Sequence, residues 1–344
     1  MLGRPPCHER PAMNQRLRLL GCWVFLLVVP CAAHDNADRV ALFPKLIVGQ
    51  TIRYQISYRS TTNTTTESTV AAPMAPAGGQ TNASLLLQVE VDDLRIDAGR
   101  TVARLRTRIV DPDAAPNVAA SDATASASST QNPTAAGKSG KREKTVAFTL
   151  HADGVVTDVE GLDRLSAEEQ AAWQEWVARF GGGAAFPEKG IKSGEKWKVE
   201  EPISNALLTG LFWEKESEYV NDAPCGAMKL TPQGDLAAGE QTQEKCAVIL
   251  TTAILKQKSS QKDATPEDYK LHDLRNMGNA KGRNETITYI SLKTGLVVRA
   301  TEDANQSMNV IVAKIDGSNR VHYTIEAQSH AHVTLLAETP SGHL

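Results

Sequence analysis

Apolar and polar residues alternate along most of this chain. In Thr51–Tyr58 the apolar positions are Ile52, Tyr54, Ile56 and Tyr58, with Arg53, Gln55 and Ser57 between them. A period of two is what a strand with one buried face requires. Leu87, Val89 and Val91 repeat it. After the turn signal Asp97-Ala98-Gly99-Arg100 the segment Val102–Ile109 returns, with Arg104, Arg106 and Arg108 on a solvated outer face. Lys144–Leu150 and Val155-Val156 form a further hairpin around Asp153-Gly154. Lys196–Glu200, Leu207–Trp213, Glu214–Val220, Lys245–Thr251 and Glu285–Ile290 read as later strands. Met308–Ile315 and Val321–Ala327 make a terminal hairpin that His330–Leu336 extends.

The period changes to that of a helix once. Ser166-Ala167-Glu168-Glu169 is a capping box. Leu165, Ala172, Trp173, Trp176, Val177 and Phe180 then recur at helical spacing before Gly181-Gly182-Gly183. Thr265-Pro266-Glu267-Asp268 predicts a shorter helix running to about Met277. The stretch 61–81, rich in Thr, Pro and Gly, reads as a loop. Residues 111–142 are mostly Ala, Ser, Thr, Pro and Asn. Such a run buries too little to offset its ordering entropy, so disorder is expected.

The pattern occurs twice. Phe43-Pro44 precedes Gly49 and the first strand, and Phe186-Pro187 precedes Gly194-Glu195-Lys196-Trp197, at offsets of 143 and 145 residues. Ala103 faces Ala247 at 144, and Gly154 faces Gly295 at 141. A period this long describes a duplicated domain rather than a solenoid. The expected organisation is a signal peptide over 1–33, a first β repeat over 34–162, a connecting helix over 163–182, a second β repeat over 183–304, a terminal hairpin over 305–338 and a tail over 339–344. The fold class is mainly β: two homologous antiparallel units, curved as in a half-barrel or barrel, with one amphipathic connecting helix.

The first 33 residues change how charge and cysteine are read. Arg16 and Arg18 precede a short apolar run ending near Cys31-Ala32-Ala33, the signature of a secretory signal. Lipidation at Cys31 is the alternative, opposed by Pro30. Without that segment the chain has 33 basic and 39 acidic residues, a formal charge of −6, and no further run able to cross a membrane. Nucleic acid is therefore not an expected partner. Of five cysteines only Cys225 and Cys246 remain, and in an oxidising compartment they are expected to pair. The protein is expected to be exported, to the periplasm or outside the cell.

Motifs for chemistry are absent. There is no Gly-x-Ser-x-Gly, no His-Glu-x-x-His, no phosphate loop and no dinucleotide fingerprint. His330 and His332 share a strand face with His322 upstream, but exposed tail histidines are the expected reading, so no metal and no cofactor is assigned. Asn63, Asn82, Asn284 and Asn305 stand in N-glycosylation sequons. Trp173, Trp176 and Phe180 on the helix, with Trp197 and Trp213, are the candidate ligand-binding residues.

The Phe-Pro…Gly-Glu-x-Trp segment of the second copy resembles an exported bacterial family of unknown function, in which a proline precedes a Gly-Asp/Glu-x-Trp strand. The first copy departs from that pattern at Ile52. The resemblance implies an envelope location and no activity. A curved sheet with one helix laid on it also resembles the half-barrel lipoprotein carriers in architecture alone. The expected function is a non-enzymatic envelope protein binding an apolar ligand or lipid between its two sheets. The alternative is a scaffold or protein-interaction module acting through loops and sheet edges; a hydrolase ranks last.

Overall fold

The computed structural model describes residues 39–69, 78–97, 100–110, 144–181, 186–187, 189–203, 206–226, 228–230, 236–238 and 244–336. The expected signal, the insert 111–142 and the tail lie outside them. The strands are β1 (Thr51–Ser68), β2 (Gly79–Asp97), β3 (Arg100–Val110), β4 (Thr145–His151), β5 (Val156–Glu160), β6 (Lys196–Pro202), β7 (Leu211–Pro224), β8 (Met228–Leu230), β9 (Leu236–Ala238), β10 (Lys245–Gln257), β11 (Leu274–Ser291), β12 (Val297–Lys314) and β13 (Val321–Leu336). The helices are α1 (Ala167–Phe180) and the single turn α2 (Glu267–Lys270). Among the described residues no helix is long and apolar enough to cross a membrane.

Eleven strands form one open antiparallel sheet in the order β5-β4-β3-β2-β1-β13-β12-β11-β10-β7-β6, and β8 ties its hairpin partner β9 to β13. The halves thus join edge to edge through β1 and β13, so no space between two sheets exists. Three local readings need correction. The threonines of 61–66, expected in a loop, lie in β1, because a β-branched run is a good strand once β13 pairs along its whole length, with β2 pairing as far as Thr62. The helix-start signal at Thr265 yields one turn ending at Lys270. From Leu274 pairing with β12 overrides it. Leu207–Gly210 is a turn, and the strand begins at Leu211.

The two halves follow the same path, β1-β2-β3-β4-β5 and β6-β7-β10-β11-β12. The likeness extends to single hydrogen bonds. Gly49 N–H donates to Val91 O at 2.8 Å and Val91 N–H to Gln50 O at 3.0 Å. In the second half Gly194 N–H donates to Tyr219 O at 2.6 Å and Tyr219 N–H to Glu195 O at 3.0 Å. Both glycines are left-handed, at φ +79° and +82°, a region that penalises a side chain. Gln50 Oε1 accepts from Ile47 N–H and Glu195 Oε2 from Lys192 N–H, each at 3.1 Å. The register then places Val91, Leu105 and Phe148 where Tyr219, Ile249 and Thr288 stand in the second half. The next row, Val89-Thr107-Val146, corresponds to Ser217-Thr251-Thr286.

The halves differ in how they end. After β5 the chain turns through Leu162–Arg164 into α1, whereas after β12 it continues into β13 beside β1. Helix α1 is capped as its sequence requires: Glu169 N–H donates to Ser166 Oγ at 3.2 Å and Ser166 N–H to Glu169 Oε2 at 2.8 Å. The helix lies across β1, β2, β12 and β13. Its buried stripe of Ala172, Trp173, Trp176 and Phe180 fills the main core with Tyr54, Leu87, Leu105 and Phe148. Burying each such large side chain contributes about 1.5–3 kcal/mol.

A second core of Leu208, Leu211, Leu255, Ala280 and Val310 sits at the far end of the second half. Cys225 and Cys246 are disulfide-bonded, joining the ends of β7 and β10. The chain before β1 crosses to the other half: Val40 bridges Ile191, Lys45 N–H donates to Thr294 O at 2.8 Å, and Gly295 lies against the Phe43 carbonyl.

Candidate functional site

The structure does not bring the five sequence-predicted aromatic residues together. Trp173, Trp176 and Phe180 are each at most 2% exposed, and their rings are occupied by protein. Trp176 stacks on Phe180 at 4.8 Å between centroids and meets Tyr54 at 5.8 Å; Trp173 meets Phe148 edge-on at 5.7 Å. Trp173 Nε1 donates to Thr107 Oγ1 at 2.9 Å, and Thr107 Oγ1 donates to Val146 O at 3.0 Å. Trp213 belongs to the second core, against Gly282. Trp197 is half-buried against Phe186, with centroids 5.9 Å apart.

Phe186 leads to the site that sequence reasoning missed. Helix α1 covers the first half of the sheet and its centre. Over the second half it reaches only as far as Arg179. A narrow groove, open to solvent and enclosing about 50 Å³, remains between Arg179, Phe186 and the sheet. Its floor is Ile249, Thr251 and Ala253 of β10, Asn284, Thr286, Thr288 and Ile290 of β11, and Glu302 of β12, with Lys215 of β7 at one side. Mostly apolar walls with a few convergent polar groups are the ordinary composition of a ligand site.

Its charges are already paired. Arg179 bridges Glu302 of the sheet and Glu175 one turn earlier on the helix, the latter at 2.9 Å. Thr286 Oγ1 donates to Glu302 Oε2 at 3.2 Å. Lys215 is paired with Glu201. The Ser217 and Thr251 hydroxyls bond each other at 2.8 Å. Along the same face burial raises two phenols: Tyr54, wholly enclosed, and Tyr219, where Asp222 adds to the effect. A signal for this site was present. Thr251, Thr286, Thr288 and Glu302 occupy inward positions of strands whose alternation calls for apolar residues.

The outward face holds other sequence candidates. Arg104 pairs with Glu160 at 3.0 Å and Arg106 with Asp92 at 2.7 Å. His330 meets Asp303 at 2.8 Å, His332 meets Thr301 and Thr334 at 3.1 and 3.0 Å, and His322 meets Asn309 at 2.7 Å. Among the described residues no group of three or more His, Cys, Asp or Glu is arranged to hold a metal ion.

No protein-family model and no curated protein matches the chain. Among solved structures it is similar to a candidate lipoprotein from Parabacteroides distasonis ATCC 8503, at 8% identity and a TM-score of 0.27, over 87% of this chain and 98% of that one. A likeness at that score carries no argument about fold or function. What this chain is rests on its own geometry: an open antiparallel sheet whose helix covers one half and leaves the other grooved.

Proposed function

We propose that this is an exported, non-enzymatic β protein of the cell envelope that holds an apolar ligand or lipid over the second half of its sheet. One observation carries the reading. The second half repeats the strand path of the first, but among the described residues no helix follows its last strand β12 as α1 follows β5, and its inward face keeps an amphipathic groove. The Cys225–Cys246 bridge supports export, since disulfides persist in oxidising compartments. We also infer that the halves arose by tandem duplication, with the final β13 replacing a second helix.

The test is ligand occupancy of the purified mature chain. Native mass spectrometry is expected to find a co-purified ligand, and a fluorescent fatty acid to bind at one per chain. Ala253→Phe, which fills the floor, is expected to abolish uptake. Absence of both a co-purified ligand and fatty-acid uptake would overturn the proposal.

A second reading, an interaction module, has its own observation. On the outward face Leu250 pairs directly with Ile287, both exposed, with exposed Ile254 four residues further along β10. Ion pairs Lys196–Glu218 and Lys198–Glu216, each at 2.9 Å, flank this strip. An envelope pull-down whose captured proteins are unchanged by Ile287→Lys would remove that reading.

A further inference from the structure

We propose that the groove takes a planar aromatic ligand bearing one hydrogen-bond donor, of the indole or phenol class. This rests on the reading of the groove as a ligand site, and it names the ligand's chemistry. The molecule contains its own worked case. In the first half the indole of Trp173 lies on the sheet, donating Nε1–H to Thr107 Oγ1 at 2.9 Å and meeting Phe148 edge-on. Thr251 stands at the position of Thr107, by the register and hydrogen bonds that align the two halves. Phe148 and Val146 are replaced there by Thr288 and Thr286.

Two things follow. The second half keeps the acceptor hydroxyl but has smaller side chains around it, and there the helix contributes Arg179, paired with Glu302, rather than an indole. Phe186, backed by Trp197, offers an aromatic wall in its place. When the Thr251 hydroxyl donates to Ser217 Oγ, its lone pairs are left to accept from a ligand, as Thr107 accepts while donating to Val146 O. The charge pattern selects among ligands. Arg179 is shared by Glu175 and Glu302, and Lys215 is held by Glu201, so both cations already have partners and a ligand needs no charge of its own to be held. A neutral ring with an N–H or O–H edge fits.

Isothermal titration of the full-length chain with indole, 1-methylindole and a fatty acid tests this. Indole is expected to bind at one site per chain. 1-Methylindole, which has the ring but no donor, is expected to bind roughly fivefold more weakly, the worth of one ordinary hydrogen bond. Thr251→Val is expected to erase that difference, and Thr288→Trp to block both ligands. Should either variant fail to fold, the comparison on the wild-type chain decides alone. Equal binding of the two indoles overturns the proposal, as does no binding of either. Fatty-acid uptake without indole binding leaves the groove a ligand site but refutes the aromatic class; no uptake of any ligand refutes both.

Discussion

The contact between Trp173 and Thr107 anchors the helix to the sheet, and a double-mutant cycle measures it. Both residues are buried, at 2% and 1% exposure, so water cannot replace a lost partner. Trp173→Phe removes the donor and part of the ring. A net hydrogen bond contributes about 1 kcal/mol and the lost ring area about 1 more, for roughly 2 kcal/mol in total. Thr107→Val keeps the shape but strands the indole N–H in the core, a cost of about 1–3 kcal/mol. In the double variant that N–H is gone, so the losses are not additive: the coupling is expected at about 1–2 kcal/mol. Urea unfolding of the oxidised protein, followed by fluorescence and circular dichroism, reads the three values, provided the slope with denaturant stays constant. Additivity within about 0.5 kcal/mol would refute the contact as described.

Reducing Cys225–Cys246, whose partners are 21 residues apart, is expected to cost about 3 kcal/mol from released loop entropy, read as a fall in unfolding midpoint with dithiothreitol that a Cys225→Ser/Cys246→Ser variant no longer shows. Gly49→Ala and Gly295→Ala separate strain from collision. Both glycines have positive φ, costing about 1–2 kcal/mol with a side chain, but a Cβ on Gly295 would also lie 2.0 Å from Phe43 O while one on Gly49 meets open space. Gly295→Ala is therefore expected to lower the unfolding midpoint clearly more, and equal losses would contradict the crossing of the N-terminal segment. His332 is held below the ordinary histidine value by burial, then by Arg299 and His330. A depressed folded value means the unfolded chain binds more protons, so this contribution is present above the unfolded value and lost as pH falls through the histidine range. His332→Gln should flatten the stability profile between about pH 5 and 7, and an unchanged slope there would refute it.

Local rules made much of the fold legible. The alternation through Ile52, Tyr54 and Ile56 placed β1 and its inward face. Ser166 and Glu169 placed the start of α1, since a capping box satisfies two orphan donors wherever it occurs. Gly49 and Gly194 stood at matching turns because both need left-handed backbone. What failed depended on partners distant in sequence. The threonine run after Ser60 looks like a loop until β13 pairs along its whole length, and residues from Leu274 onward follow β12 rather than their own helical signal. Of the five aromatic residues named as ligand-binding, Trp173, Trp176 and Phe180 do share one stripe of α1, but a stripe does not say whether anything covers it. Conversely the groove lies where α1 reaches the sheet only through Arg179, a boundary set by tertiary packing rather than by any local pattern. Polar Thr286 and Glu302 at inward strand positions were the one local trace of it.

The sheet's connectivity sets a timetable. β1, the earliest strand, is completed on its second side by β13, the latest, and the segment ahead of β1 is held by Ile191 and Thr294. A nascent chain therefore cannot finish its first half as it emerges; about 250 residues must follow before that seam can close. Such a chain stays threadable until β13 has been made, a property that the export proposed above would put to use.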